Sequence, residues 1–372
     1  MRSFFSFIWI TLKKIDYYLL ALVLTAGFYG VLLILSATNS FGTLKPVIMQ
    51  AGALVVGLFA ILVLLIIDYK NLSKFSIYIY GVCILLLVAT LIFGKEVQGN
   101  KNWLEFGPIS IQPSEFVKIG FIITFATHIN KVKYYINSLR ALIPLLIHFS
   151  VILVLVLLEG DLGTSLVFLF ICILMLFAAG LHWLYFASGA VIVTAAAPFV
   201  FENLLNNYQQ MRILAVYDPS LDPLGYGYHT LQSKITLGSG GLTGSGLFNG
   251  VQTQYGILPA KQTDFIFSVA GEELGFIGTL LIIVLEVLII IRIFYIARHA
   301  RDDMGTLICV GAASGLLFQA AENIGMCLGL LPVIGITLPF FSYGGSSMLA
   351  SMCLIGVVMS VNSDRKGGFF KK

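Results

Sequence analysis

Charge is scarce in this chain. Only 11% of its 372 residues are Asp, Glu, Lys or Arg, while 58% are hydrophobic; an ordinary soluble domain carries about 25% charged residues. The mean hydropathy is +0.96. No water-solvated core absorbs that much apolar surface, so the solvent is read as lipid. The net charge of +4 is too small to mark a nucleic-acid partner, and none is expected. Paired cysteines are lacking too. Cys83, Cys172, Cys309, Cys327 and Cys353 all lie in apolar runs, without metal-ligand spacing, and read as small buried hydrophobes. No small-residue cleavage site follows the first apolar run, so that run is expected to be a retained span and not a signal peptide.

What is present is a series of long apolar stretches. A helix needs about 20 apolar residues to cross a bilayer, and ten stretches qualify: roughly 16–37, 46–67, 75–94, 113–129, 141–158, 162–179, 182–201, 265–293, 306–330 and 335–361. The fourth is the least apolar and opens on a Pro113-Ser114-Glu115 cap signal. Only Glu159-Gly160-Asp161 separates the fifth from the sixth, which predicts a tight helical hairpin. Lysine and arginine set the orientation. With both ends inside, the outside segments hold only Lys45, Lys95, Lys101, Arg212, Lys234 and Lys261, and Lys118 falls within a span. The others, including Arg2, Lys13, Lys371 and Lys372, lie inside. The expected fold is an all-α polytopic membrane protein of about ten transmembrane helices with both termini cytoplasmic. It forms one membrane domain over 1–372, with a large extracytoplasmic loop, 202–264, between helices 7 and 8. That loop is aromatic- and glycine-bearing rather than low-complexity, and a long loop of this kind tends to be functional. Two shorter outside segments, 95–112 and 331–334, are expected near it.

Charges in or beside spans cost about 2.5–3.5 kcal/mol at a helix centre on insertion scales, so each is a functional candidate: Glu115, Lys118, Glu159, Asp161, Asp264, Glu272, Glu273 and Glu322. Most fall near the outer ends of their spans. Glu115 and Lys118 are three apart and share a helix face, suited either to a working ion pair or to one that aids insertion. Asp264 is the last polar residue of the long loop. Partial desolvation there lifts a carboxyl towards the range of a general base; the alternative is an N-cap for the next helix. The glycine-rich run Gly238–Gly246 invites comparison with phosphate-cradling loops. It lacks the βαβ setting of a dinucleotide fingerprint, and a plain turn is the other reading. Arg212 is the loop's one arginine, suited to bidentate phosphate recognition or simply solvated. In Leu338–Ser347 the small residues suit close helix packing, and the hydroxyls of Ser342 and Ser346 are candidates to face a cavity.

Over nearly its whole length the chain resembles the SEDS family (RodA, FtsW, SpoVE). The resemblance rests on Gln112-Pro113-Ser114-Glu115 with Lys118, on Asp161-Leu162-Gly163-Thr164, and on Gln232-Ser233 followed by Gly238–Gly241. Thr263-Asp264-Phe265-Ile266-Phe267, Glu272-Glu273-Leu274-Gly275, Asn323-Ile324-Gly325-Met326 and Leu338–Ser347 complete it. Gln252–Gln254 looks more like RodA than FtsW. Departures are Ala260 and Gln262 where glutamate and histidine are usual, Asn102 in place of an arginine before Trp103, and Glu159 in place of glutamine.

The resemblance implies a multi-pass enzyme of the bacterial cytoplasmic membrane, an inverting peptidoglycan glycosyltransferase that polymerises lipid II into β-1,4-linked glycan strands during elongation or another cell-shape process. It implies Asp264 as the catalytic residue, with Glu115, Lys118, Asp161, Arg212, Gln232, Ser233, Thr263, Ser342 and Ser346 binding substrate. Lys118, Arg212 or a divalent cation (Mg2+ or Mn2+) would face the departing diphosphate; no resident metal site is expected. Lipid II, the undecaprenyl-diphosphate-linked glycan, membrane lipids and a class B penicillin-binding protein are the implied partners. A lipid II flippase is the rival reading, but it needs ionisable groups near the bilayer midplane, and of these only Glu286 lies away from the outer side. A non-catalytic scaffold is the other.

Overall fold

The computed structural model describes residues 14–97, 100–107, 109–203, 205, 207–218, 222 and 225–367. Arg2, Lys13, Lys371 and Lys372, used above for orientation, lie outside that set. Each of the ten apolar stretches contains a helix. These are α1 (Tyr17–Ala37), α2 (Lys45–Ile67), α4 (Ser76–Phe93), α5 (Pro113–Val132), α6 (Leu139–Leu158), α7 (Leu162–Ala178), α8 (Trp183–Asn203), α12 (Ile266–Arg298), α13 (Asp303–Cys327) and α14 (Gly345–Gly367). The shorter α3 (Tyr69–Lys74), α9 (Asn207–Tyr217), α10 (Tyr226–Ser239) and α11 (Val251–Gln254) connect them. Side-chain caps fix several starts, as the unpaired first-turn amides require. Asp16 Oδ1 accepts from Leu19 N at 3.1 Å, Ser138 caps α6 and Asp302 caps α13.

Eight helices among the described residues are long and apolar enough to cross a membrane: α1, α2, α4, α6, α8, α12, α13 and α14. The other two differ for visible reasons. α7 has 17 residues, and α5 is less apolar because it carries Glu115, Lys118, His128, Asn130 and Lys131. In α8 no residue is fully buried by protein; Tyr185 and Phe186 rest against the core at its start, and most of the rest is exposed. The core joins α2 with α14, α12 with α1 and α13, and α13 with α5 and α7.

Three segments differ from a plain bundle of ten helices and loops. A small antiparallel sheet forms from β1 (Lys95–Val97), β2 (Asn100–Phe106) and β3 (Ile109–Ile111), with Leu104 opposite Ile111. The loop 202–264 folds into α9, α10 and α11. The last span was expected from 335, but α14 begins at Gly345, and the irregular segment expected over 331–334 continues to 344. Pro332 and Pro339 withhold amides there. Gly335 at φ 76° and Phe340 at φ 63° turn the chain in a way no helix accommodates.

Candidate active site

Asp264 stands two residues before α12. The turn that presents it is built on one carbonyl: Ala260 O accepts the amides of Thr263, Asp264 and Phe265 at 3.1, 3.1 and 3.3 Å. The cap position of α12 belongs to Phe265, with no side-chain cap, so the N-cap reading of Asp264 fails and its carboxylate is left for other work. The Asp264 carbonyl accepts from Asn323 Nδ2 at 2.9 Å, and the same amide reaches Ile336 O at 2.8 Å. Ser342 Oγ donates to Thr263 O at 2.6 Å and accepts from Leu338 N at 2.9 Å. Tyr343 N reaches Gln262 O at 2.8 Å. Gln50 on α2 closes the frame, holding Ser342 O at 3.0 Å and Gly344 N at 3.1 Å. The backbone around Asp264 is thus fastened to α2, α13 and the 331–344 segment.

The carboxylate itself is half-buried. Burial pushes its pKa up to about 6, against the opposing pull of the Thr263 hydroxyl and the Arg212 guanidinium. Arg212 is buried on α9. A Cβ built on Gly335 would sit 3.9 Å from Asp264 Oδ2, an ordinary contact distance, so the 331–344 segment passes directly beside the carboxylate. Glu322, one residue before Asn323, is 3% exposed, and neither of its oxygens has a hydrogen-bond partner among the described residues.

The other predicted residues gather at the same end of the bundle in different roles. Asp161 caps α7: Oδ1 accepts from Thr164 N at 2.9 Å, while Oδ2 accepts from Thr164 Oγ1 at 2.9 Å, Asn102 Nδ2 at 2.8 Å and Gln112 Nε2 at 3.2 Å. Glu159 beside it is buried, and burial followed by the Asp161 charge raises its pKa to about 8. Lys118 and Glu115 form a buried ion pair at 2.8 Å. It lines a cavity of about 20 Å³ with Gln319 and Ser351, room for about one water and none for a sugar. Ser233 is fully buried; its Oγ lies 2.7 Å from Ser268 Oγ and donates to Cys327 O at 2.9 Å. Ser346 Oγ accepts from Gln112 N and donates to Ser110 O, both at 3.3 Å. Gln232 is half-buried on α10, with its Oε1 unpartnered among the described residues. Thr263, Asp264 and Arg212 are therefore brought together; Ser233, Ser342 and Ser346 serve as ties between elements.

The glycine-rich run does something composition did not reveal. α12 breaks at Gly275 (φ 68°, ψ −163°), which frees main-chain groups that a helix normally pairs. Ser245 N and Gly246 N donate to Glu272 O and Glu273 O at 3.0 and 2.9 Å. Phe276 N and Ile277 N donate to Gly241 O and Leu242 O at 2.9 and 3.2 Å. The run re-pairs the broken helix, as unpaired backbone in an apolar setting demands, so these amides are not a phosphate cradle. Glu272 holds α11 through Gln252 N and Thr253 N at 2.7 and 2.9 Å. Glu273 takes Ser36 Oγ at 2.5 Å and Gln254 Nε2 at 2.8 Å. Gln50 and the double reach of Asn323 were missed from sequence; a polar residue within an apolar span was the signal for Gln50.

Fold and site define a polytopic helical membrane protein with a carboxylate centre framed at one end of its bundle. The family model described as Cell cycle protein, FtsW/RodA/SpoVE, matches residues 16–367. The Escherichia coli protein named peptidoglycan glycosyltransferase MrdB is 37% identical over 353 residues, 95% of this chain and 94% of that protein. Stage V sporulation protein E of Bacillus subtilis is 38% identical over 328 residues, 87% of this chain and 88% of its own length. Among solved structures, one described as structural coordination of polymerization and crosslinking by a peptidoglycan synthase complex aligns with TM-score 0.82 at 30% identity, covering 96% of this chain and 99% of that one. Thermus thermophilus rod shape determining protein RodA aligns with TM-score 0.71 at 28% identity, covering 94% and 97%. The chain belongs to the SEDS family of FtsW, RodA and SpoVE, and is a multi-pass protein of the bacterial cytoplasmic membrane.

Proposed function

We propose that this chain, a peptidoglycan glycosyltransferase acting in cell-shape processes, polymerises lipid II with Asp264 as general base. The observation that carries the proposal is the Asp264 carboxylate. It is half-buried at the mouth of α12, relieved of any capping duty, anchored through its own backbone and raised to about 6. A base with a pKa near the working pH is largely ionised yet still takes a proton readily.

In the proposed step, Asp264 accepts the proton of the acceptor sugar's 4-hydroxyl as that oxygen attacks the anomeric carbon of the lipid-linked donor. The new C–O bond forms on the face opposite the diphosphate. The bond to the diphosphate breaks with its electron pair, and the centre inverts to a β-1,4 link. Negative charge grows on the leaving group, where a nearby cation stabilises the transition state. Arg212 is the cation beside Asp264, whereas Lys118 is held inside the bundle by Glu115. Among the described residues no cluster of three or more His, Cys, Asp or Glu is placed to hold a metal. A Mg2+ or Mn2+ ion would be shared with the diphosphate, facing Asp264 and the orphaned Glu322, and would supply further charge neutralisation there. The proposed partner is a class B penicillin-binding protein, in keeping with the synthase complex that the fold resembles.

The test is lipid II polymerisation by purified protein. Replacing Asp264 with Asn is expected to lower turnover by about 10²–10⁴-fold, the usual contribution of a positioned base, with insertion and thermal unfolding retained. Wild-type turnover by that variant would remove Asp264 from the chemistry. Transport of labelled lipid without glycan growth would favour the flippase.

A further inference from the structure

Away from Asp264, Glu159 and Asn102 carry three buried oxygens with no hydrogen-bond partner among the described residues: both carboxylate oxygens of Glu159 and Oδ1 of Asn102. Glu159 is 2% exposed and Asn102 6%. Buried polar atoms are paired as a rule, and an orphan calls for an ion or a water. Here the two residues that carry the orphans are neighbours, Asn102 through Asp161 and its chain neighbour Lys101 through the Glu159 carbonyl. Asn102 Nδ2 donates to Asp161 Oδ2 at 2.8 Å, so Oδ1 on the same amide carbon lies at the edge of that carboxylate. Glu159 is close enough to Asp161 for their charges to repel. Lys101 N, next to Asn102, donates to the Glu159 carbonyl at 2.8 Å and pins β2 to the α6–α7 turn.

Among the described residues no ion pair includes Glu159 or Asp161. The nearest lysine in sequence, Lys101, turns its ammonium to Ile92 O at 3.2 Å. A carboxylate buried without a compensating charge is costly. Two carboxylates and an amide carbonyl make an all-oxygen set, which suits hard divalent cations such as Mg2+, Mn2+ and Ca2+ and offers little to soft metals.

We propose that Glu159 and Asn102 Oδ1, backed by the charge of Asp161, form a divalent-cation site that clamps β2 onto the α6–α7 turn. The clamp matters beyond the turn. Asp161 also holds Gln112, and a Cβ on Gly163 would touch Ile334 O at 3.0 Å. The start of α7 therefore braces the segment whose Gly335 lies beside Asp264. This site fills without any lipid substrate, which separates it from an ion that arrives with a diphosphate.

The experiment uses the full chain purified in detergent, with Mn2+ alone as the probe. Bound Mn2+ is read by electron paramagnetic resonance, and thermal unfolding is followed with and without EDTA. The expected result is about one Mn2+ retained per chain without lipid, and a Tm that falls on chelation. Glu159→Gln keeps the side-chain volume and drops the charge. It should fold, weaken Mn2+ binding at least tenfold, and lose the response to EDTA. Asp264→Asn should keep both. The proposal is overturned if the wild-type chain binds no Mn2+ and its Tm ignores EDTA, as a water at the site would give, or if Glu159→Gln binds Mn2+ like the wild type.

Discussion

The Asn323 side-chain amide holds the main-chain carbonyl of Asp264 at 2.9 Å. With its second bond, to Ile336 O, one residue of α13 sets the distance between the proposed base and the segment facing it. Asn323→Ala takes the amide donor from both carbonyls and leaves Asp264 O only the weak Cys327 Sγ contact at 3.7 Å; a buried group left unsatisfied costs about 1–3 kcal/mol. The expected outcome is a lowered Tm and at least a tenfold loss of polymerisation with Asp264 still in place, measured by thermal unfolding and lipid II turnover on one preparation.

The acid limb of the pH profile should belong to Asp264. Its base form is needed, so kcat/KM is expected to climb through pH about 6 and level above it. Arg212 holds that pKa down, so Arg212→Gln should move the limb to higher pH. A limb that stays put would separate Arg212 from the base electrostatically.

The same shift has a stability sign. The carboxyl pKa is raised in the folded state, so folding binds the proton more tightly. The stabilisation is present below the unfolded value and lost as pH rises through about 6. Asp264→Asn is therefore expected to raise Tm at pH 8 and to leave it nearly unchanged at pH 4. A uniform shift at both pH values would point to packing instead.

Two glycines of the 238–246 run should behave oppositely. A Cβ on Gly240 would collide with the Gly271 carbonyl, whereas nothing lies within 4 Å of one on Gly238. Gly240→Ala should prevent accumulation of folded protein, and Gly238→Ala should be tolerated. A flexible surface turn would accept both, which makes paired expression and unfolding measurements decisive.

Ala260 sits at φ 44°, a left-handed conformation that costs an L-residue roughly 1–2 kcal/mol. Its carbonyl organises the turn below Asp264, so the conformation is not free to relax. Ala260→Gly should stabilise the chain by about 1 kcal/mol, visible as a raised Tm with turnover preserved.

Much of this was legible in the sequence, for a specific reason. Apolar run length places helices: each of the ten stretches contains one, and eight of these, among the described residues, are long and apolar enough to cross a membrane. Asp264 was readable because it ends the long loop where an apolar helix begins. The 331–344 segment was misread in part because its leucines and isoleucines satisfy hydropathy while its backbone turns at Gly335 and Phe340. Ser342 and Ser346 were chosen for their hydroxyls and Ser233 for its place in a family motif, and neither signal says whether a hydroxyl meets a sugar or a carbonyl. The pairing of Gly241–Gly246 with α12 was invisible because amides and carbonyls are the same at every residue.

The break at Gly275 bears on how the protein is made. Residues 241–246 leave the ribosome before α12 does, so the segment that completes this helix is already waiting when the helix reaches the bilayer. A circularly permuted chain that supplied the segment afterwards would ask the membrane to hold four orphaned peptide groups in the interval. Chain order here acts as an assembly instruction for a helix that is unfinished on its own.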